Sequence, residues 1–350
     1  MVIPHSRPVF AAGVTDVCND VLAEQFFACG EHTQALEQQI GQSLGLPNTL
    51  AINAGTSALM LAIRALSKGK TNPRIGIPSY VCASLWFAVK AAGAKPVLMD
   101  CNANLTLDAE QARNISNSLD ILVLVHPFGM VEPLAAETFA CPVIEDIAQS
   151  VGATLHGQKV GTFADICIGS LYATKPWGGA YGGFIACENT ELIEQCGAMI
   201  NPDGNNLEAT YVGHHLLSNV HAALASHRIQ YAEHEQKQRQ VWAMKYDALL
   251  AEFAEKDMAS PIHSVAHSQG NAFRYLVHCA ADVAPIIQAF QSLGIAAARP
   301  VQQPLHQNAQ QTLHQAQHAW QHTLSLPLLA DMSTDEFTLM QQGIRTCFTS

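Results

Sequence analysis

The chain has 350 residues, of which 49% are hydrophobic and 13% are charged, so a large buried core is expected and disorder is not. This length suits one large domain and a smaller one. The net charge of −11 argues against binding to nucleic acid or to anionic membranes, which both attract basic surfaces.

The cysteines and the N-terminus bear on where the protein works. Ten cysteines without a Cys-x-x-Cys pair indicate buried thiols in a reducing compartment. The first ten residues lack the pattern of a signal peptide, and no apolar run approaches the ~20 residues that span a membrane. A soluble cytoplasmic protein is expected.

The first predicted elements lead to a possible phosphate site. Hydrophobic periodicity predicts helices over 16–28 and 32–44, a strand over 49–54 and a helix over 58–66. Gly55, Thr56 and Ser57 lie between that strand and helix, where free amides at a helix N-terminus can bind an anion. The alternative is an ordinary Ser/Thr-capped helix.

Strands and helices then alternate. Strands are predicted over 74–77, 96–99, 121–126, 141–145, 165–170 and 183–187, with a helix over 80–92. Short apolar strands that alternate with helices indicate a doubly wound, mainly parallel sheet.

Two polar residues stand out among these buried strands. Asp146 follows the strand over 141–145, at the carboxyl end where open α/β sheets bind ligands. Lys175 is the lone lysine of a Gly-rich loop between two strands, and desolvation there would favour a neutral, nucleophilic amine. Pyridoxal phosphate (PLP) needs such a lysine and a carboxylate that keeps its pyridine nitrogen protonated. The alternatives are a helix N-cap for Asp146 and a solvated surface position for Lys175.

The second half of the chain is predicted to continue with a loop and a smaller domain. Residues 199–213 form a polar loop and 216–250 a long helical region. A strand over 273–279 and helices over 283–293 and 334–345 follow. We expect a large PLP-binding domain over 1–234 and a small α/β domain over 235–350.

A Gln- and His-rich segment over 306–322 carries three histidines four residues apart, His314, His318 and His322. On a helix they would share one face and could bind a metal. No acid lies nearby, so we interpret the segment as polar surface and expect no metal.

Several motifs, in order along almost the whole chain, resemble the DegT family of PLP-dependent sugar aminotransferases. The core of the resemblance is VIEDIAQSVGA at 143–153, followed by HGQKVGTFADICIGSLYATK at 156–175 and a Gly-rich turn. The other matches are IPHSRP at 3–8, INAGTSALMLAIRAL at 52–66, IPSY at 77–80, AGAKPVLMD at 92–100, VHPFG at 125–129, RPVQQPLH at 299–306 and SLPL at 325–328.

The resemblance implies fold type I of the PLP enzymes, with a mainly parallel seven-stranded sheet and a smaller C-terminal α/β domain. It implies transfer of an amino group from an amino acid, glutamate by expectation, to a keto sugar carried on a nucleotide. It also implies a cytoplasmic homodimer that serves sugar nucleotide and polysaccharide biosynthesis.

The resemblance also assigns roles. Lys175 would form the internal aldimine and move protons, and Asp146 would hold the pyridinium proton. Gln149 would bind the ring hydroxyl, or else act as a capping or surface residue, and Ala148 would let the ring lie flat. The phosphate would be bound by Ser170 and Thr56 with the amides of Gly55 and Ser57.

Three departures from the family pattern concern this site. Cys82 stands where the family usually has an aromatic ring stacked on PLP, with Tyr181 or Trp177 as possible substitutes. Residues 180–183 are Ala-Tyr-Gly-Gly, where the family usually has Gly-Glu-Gly-Gly. His214, His215 and Leu216 replace an Asn-x-Arg segment that reaches the phosphate of the neighbouring subunit. His214 or His215 could make that contact, or both could begin a surface helix.

Two other functions stay open at this point. A PLP-dependent sugar dehydratase of the same fold would have histidine in place of the aldimine lysine, whereas Lys175 is retained. A non-catalytic binding or regulatory protein would explain the departures at Cys82, Tyr181 and His214.

Overall fold

The computed structural model describes residues 2–67, 69–203 and 211–348. In these ranges the strands are β1 (Asn48–Ile52), β2 (Arg74–Pro78), β3 (Lys95–Met99), β4 (Ile121–Val125), β5 (Val143–Asp146), β6 (Thr154–Leu155), β7 (Gln158–Lys159), β8 (Ile166–Ser170), β9 (Gly183–Cys187), β10 (Ala259–Ile262), β11 (Ser268–Gln269), β12 (Tyr275–Cys279) and β13 (Thr323–Leu326). The helices are α1 (Val14–Glu24), α2 (Glu31–Leu44), α3 (Gly55–Ser67), α4 (Ser84–Ala91), α5 (Ala109–Ser116), α6 (Thr190–Gly197), α7 (Asn219–Ile229), α8 (Ala232–Ala254), α9 (Val283–Ser292), α10 (Leu305–Asn308), α11 (His314–His322) and α12 (Thr334–Phe348).

The large sheet has seven strands in the order β1-β9-β8-β5-β4-β2-β3. The pairs from β8 through β5, β4 and β2 to β3 are parallel, and β9 is antiparallel to both of its neighbours. The predicted mainly parallel seven-stranded sheet is therefore confirmed. Because β4 and β5 are in register, with Val125 opposite Asp146, their carboxyl ends meet at one edge.

The sheet is covered by apolar residues on both faces. One cluster includes Leu36, Leu124 and Phe184, and the other includes Leu61, Val123 and Ile185. Consecutive residues such as Val123 and Leu124 thus point to opposite, equally buried faces, which is why the strands are continuous apolar runs.

The C-terminal part has a hydrophobic cluster of its own. Strands β10, β12 and β13 form an antiparallel sheet that packs with α8, α9 and α12. Ile3 is fully buried in this cluster and pairs with Ile295, so the N-terminal segment packs against the C-terminal part. The division at residue 234/235 stays a prediction, and it falls within α8.

Long-range contacts move several predicted boundaries. The helix predicted from residue 80 begins at Ser84, and Tyr80 instead packs edge-to-face on Phe128 and donates from its hydroxyl to the Ala319 carbonyl at 3.3 Å. Helix α1 ends at Glu24, where Gln25 adopts a left-handed conformation with φ of 56°. The helical region predicted over 216–250 is divided into α7 and α8. None of the helices in the described ranges is both long and apolar enough to cross a membrane.

Candidate active site

A cavity of about 500 Å³ lies at the carboxyl ends of the central parallel strands. It collects residues from the end of β5, the end of β8, the start of α3 and the loops after β2 and β8. Of the residues singled out in the sequence, it is lined by Gly55, Thr56, Cys82, Asp146, Ala148, Ser170, Lys175 and Tyr181. Residues far apart in the chain therefore meet where the sheet topology predicts a ligand.

Lys175 lies on a tightly turned loop after β8. Its amide donates to the Tyr172 carbonyl at 2.8 Å, and its own carbonyl accepts from the Gly178 amide at 2.8 Å. Burial lowers the pKa of its amino group, while Cys82 and Asp146 act in the opposite direction. The loop thus holds an amine that loses its proton more readily than a solvated lysine does.

Asp146 is the last residue of β5 and is only 6% exposed. Its Oδ1 accepts from the Ala148 amide at 2.9 Å, and Oδ2 has no hydrogen-bond partner in the described parts of the chain. Burial raises the pKa of this carboxyl, against the effects of the Ala148 amide and of Lys175. Asp146 thus caps the turn after β5 and is not the helix N-cap of its alternative interpretation, because no helix lies in the described residues 147–153 between β5 and β6. It still offers one oxygen to a cationic or N–H-bearing ligand.

The start of α3 lies at the cavity and has free backbone amides. The helix begins at Gly55, so the amides of residues 55–57 have no partner within the helix. A Cβ on Gly55 would lie 3.1 Å from Cβ of Ser170, which shows how closely the helix approaches the end of β8. A Cβ on Gly183 would lie only 2.4 Å from the Gly55 nitrogen, so alanine there would displace the start of the helix. Amides, Thr56 and Ser170 thus form one cradle.

Gln149 lines a smaller adjoining cavity of about 60 Å³ together with Cys82, Asp146 and Lys175. Its Oε1 accepts from the Phe128 amide at 2.7 Å. The side chain is therefore fixed at the edge of the site, and the role of Gln149 toward a ring hydroxyl stays a prediction.

The aromatic residues that could replace the family's stacking ring lie in different parts of the structure. Tyr181 lines the main cavity and packs edge-to-face on Tyr172 at 5.5 Å between ring centroids. Trp177 is 7% exposed and packs in the core against Phe184, so it does not supply aromatic surface to the cavity. Of the two candidates, Tyr181 alone can do so.

His214 is exposed and does not line the cavity of its own chain. Its backbone carbonyl accepts from Asn53 Nδ2 at 3.1 Å. The His215 ring contacts the Tyr211 hydroxyl at 2.8 Å. The centre of the loop predicted over 199–213, residues 204–210, lies outside the described residues.

The histidines of the 306–322 segment do not form a metal site in the described residues. His314, His318 and His322 lie on α11, and the rings of His318 and His322 stack with centroids 4.3 Å apart. His322 Nδ1 contacts the Cys279 carbonyl at 2.9 Å.

A buried pair behind Asp146 was not singled out in the sequence. His126 and Glu145 are both fully buried, with His126 Nε2 and Glu145 Oε1 2.8 Å apart. His126 Nδ1 accepts from the Glu132 amide at 3.1 Å, so Nε2 carries the proton and donates it to Glu145. Glu145 also accepts from the amides of Gly161 and Phe163, at 2.6 and 3.0 Å. A charged residue inside an apolar strand is the signal that could have revealed this pair.

We expect Glu145→Ala to destabilise the protein by about 3–5 kcal/mol, because it leaves three donors buried without an acceptor. The free energy of unfolding in urea measures the effect. Glu137→Ala, which breaks the exposed pair with Arg113, is the matched control and should change stability little. Equal losses in the two variants would contradict a special role for the buried pair.

The chain matches known proteins over most of its length. The model of the DegT/DnrJ/EryC1/StrS aminotransferase family matches residues 11–345. UDP-N-acetyl-3-dehydro-alpha-D-glucosamine 3-aminotransferase of Acidithiobacillus ferrooxidans is 32% identical over 49% of this chain and 48% of that protein. The dTDP-4-dehydro-2,3,6-trideoxy-D-glucose 4-aminotransferase of Saccharopolyspora spinosa is 26% identical over 70% of each. The chain thus spans about half of the first relative and a larger share of the second.

Solved structures show the same fold. Aminotransferase TlmJ from Streptoalloteichus hindustanus superposes with a TM-score of 0.90, over 100% of this chain and 99% of the other, at 21% identity. A DegT DnrJ EryC1 StrS aminotransferase from Brucella abortus superposes with a TM-score of 0.86. The superposition covers 96% of this chain and 95% of the other, also at 21% identity.

Proposed function

Because the chain belongs to the DegT/DnrJ/EryC1/StrS aminotransferase family, we propose that it transfers an amino group from an amino acid, glutamate by preference, to a keto sugar carried on a nucleotide. The cofactor of this family is pyridoxal 5′-phosphate. The observation that carries the proposal is one cavity that joins an amine of lowered pKa, a buried carboxylate and an anion cradle.

These residues fit the cofactor chemically. The free amides at the start of α3, with Thr56 and Ser170, match its phosphate. The unpartnered Oδ2 of Asp146 matches the N–H of its pyridine ring, and the amine of Lys175 matches its aldehyde. When bound, the cofactor withdraws electrons from the substrate carbon through its protonated ring.

Lys175 has a second task in this proposal. An amine whose pKa is lowered by burial can accept a proton from the substrate carbon and return it from the same Nζ. Asp146 would hold the ring nitrogen through Oδ2, and its position is fixed by β5 and by the hydrogen bond from the Ala148 amide. Both side chains are held by rigid elements, which orients the proton transfer.

The sugar acceptor is supported by the relatives and by the size of the cavity. Both curated relatives are named for nucleotide-linked dehydro sugars. Retention of Lys175 favours transamination over dehydration, and the meeting of Lys175, Asp146 and the start of α3 in one cavity favours an enzyme over a non-catalytic binding protein. We also place the enzyme in the cytoplasm, in sugar nucleotide and polysaccharide biosynthesis. All ten cysteines are free thiols, which supports a reducing compartment.

A screen of nucleotide-linked keto sugars tests the proposal. The holoenzyme is first incubated with L-glutamate, and conversion of the bound cofactor to its amine form is followed by absorbance. Each keto sugar is then added, and return of the original spectrum identifies the acceptor. Lack of any spectral change with glutamate and with all other amino acids would contradict an aminotransferase.

We also propose a homodimer in which each subunit completes the site of its partner. The His214 side chain is exposed and has no hydrogen-bond partner in the described parts of the chain, so it is free to reach another subunit. A solution mass of twice 37.7 kDa is expected.

We expect His214→Ala to weaken cofactor binding about tenfold, through loss of a charge-assisted hydrogen bond. His263→Ala, also exposed, is the control. A monomer, or a dimer in which both variants bind the cofactor equally well, would contradict the proposed shared active site.

A further inference from the structure

A second, smaller cavity of about 40 Å³ lies on the other side of Lys175. Lys175 and Thr174 line both cavities. Five of the 18 lysines and arginines of the chain line the small one, together with a single acid, Glu235. Such a concentration of positive charge in a protein of net charge −11 indicates a site for an anion. The five cationic residues are Arg7, Lys175, Arg228, Arg239 and Arg274.

Three of the four arginines already have carboxylate partners. Arg7 contacts both Asp331 and Glu336 at about 3 Å. Arg228 and Arg239 both contact Glu235, at 3.0 and 3.3 Å. Arg274 has no carboxylate partner in the described ranges, so its charge is uncompensated there.

One edge of Arg274 is fixed by the N-terminal segment. Its Nη1 donates to His5 Nδ1 at 2.7 Å and to Ser6 Oγ at 2.6 Å. Burial and the neighbouring guanidinium lower the pKa of His5 to about 3, so the ring is neutral and Nδ1 is an acceptor. The other ring nitrogen then donates to Ser325 Oγ at 2.9 Å. This chain of contacts orients the guanidinium.

The opposite edge of Arg274 is free. Its Nε and Nη2 have no hydrogen-bond partner in the described part of the protein. These two N–H groups form the fork that binds a carboxylate through two parallel hydrogen bonds. Burial lowers the pKa of Arg274 to about 10, which still leaves it charged at neutral pH. Arg274 is half-buried, so its unpaired charge is only partly solvated and a bound anion would stabilise it.

We propose that Arg274 binds the α-carboxylate of the amino acid donor, an inference that rests on the proposed aminotransferase function. Lys175 Nζ lies 5.5 Å and Arg274 Cζ 4.6 Å from the centre of the Phe273 ring, so both cations flank the same side chain. The carbon from which Lys175 would take a proton is bonded directly to the α-carboxylate. The small cavity has room for a carboxylate and not for a sugar, whereas the large cavity does have that room.

The test compares two amino donors that differ only in the α-carboxylate, L-glutamate and 4-aminobutyrate. The holoenzyme is mixed with each, and the rate of conversion of the cofactor to its amine form is measured. We expect the parent enzyme to prefer glutamate by at least a hundredfold and Arg274→Gln to reduce that preference to less than tenfold. Arg274→Lys, which keeps the charge and loses the fork, should give an intermediate preference.

A binding measurement accompanies the kinetics. Glutarate has carboxylates and no amino group, and its dissociation constant by calorimetry should rise at least tenfold in Arg274→Gln. Arg113→Gln changes a charge at an exposed residue that is paired with Glu137 and lines neither cavity, and it should alter neither readout. Thermal unfolding checks that the variants are folded.

The outcomes separate the two proposals. If the parent enzyme converts its cofactor with no amino donor, the proposed function fails. If the parent converts its cofactor without preferring glutamate, if Arg274→Gln keeps that preference, or if Arg113→Gln loses it equally, the function stands and the role of Arg274 is overturned.

Discussion

Lys175→Ala is expected to abolish transamination. The loss of rate should exceed the roughly 10²–10⁴-fold that a single general base contributes, because here the nucleophile and the base are the same group. The Lys175 side chain is the only amine of its loop, and the loop is fixed by backbone hydrogen bonds on both sides of it. The visible absorption band of the lysine-bound cofactor, and its reduction by borohydride, should disappear.

The variant should remain folded, since Lys175 donates no side-chain hydrogen bond to the described residues and its burial carries a desolvation cost. Lys237→Ala, at an exposed residue paired with Glu233, is the matched control and should keep the band and the activity. Persistence of the borohydride-sensitive band in Lys175→Ala would show that another lysine holds the cofactor.

Asp146→Asn is expected to lower turnover by about 10²–10³-fold while the cofactor still binds. An asparagine has the shape of the aspartate and can still accept from the Ala148 amide, so the turn after β5 is kept. The neutral amide cannot hold a proton on the pyridine nitrogen, and the electron-withdrawing capacity of the ring is lost. Single-turnover conversion with glutamate isolates this step from binding.

The size of the loss identifies the role of Asp146. Asp120→Asn, at a carboxylate that binds Lys70 and the Arg74 amide, tests for a general effect of removing an acid and should leave turnover unchanged. Turnover of Asp146→Asn within a few-fold of the parent would mean that another acid holds the ring nitrogen.

The sequence predicted the sheet well because its strands are buried on both faces. A run such as Ile121–Val125 is apolar at every position, which distinguishes it from the amphipathic helices around it. The same regularity placed Asp146 and Ser170 at the ends of β5 and β8, and parallel register then brings those ends together. Gly55, Thr56 and Ser57 form the first turn of α3, and their binding of an anion stays a prediction.

The features that the sequence did not reveal depend on partners far along the chain. Tyr80, where the helix was predicted to begin, contacts Ala319, about two-thirds of the chain away, and α4 begins only at Ser84. The charge of Arg274 is unusual only because of what surrounds it in space. No local pattern reports that His5 and Ser6 lie against it.

The pairing of Ile3 with Ile295 has a consequence for how the protein is made. Ile3 is synthesised well before its partner Ile295, so the nascent chain carries an apolar segment without its partner until most of the intervening residues have been made. Closing so long a loop is slow, and we infer that this step comes late in folding. Because His5 and Ser6 are in the same segment, a bulky amino-terminal fusion would disturb the orientation of Arg274 before it disturbed the large sheet. Fusions at the two termini should therefore differ in their effect on the use of the amino donor.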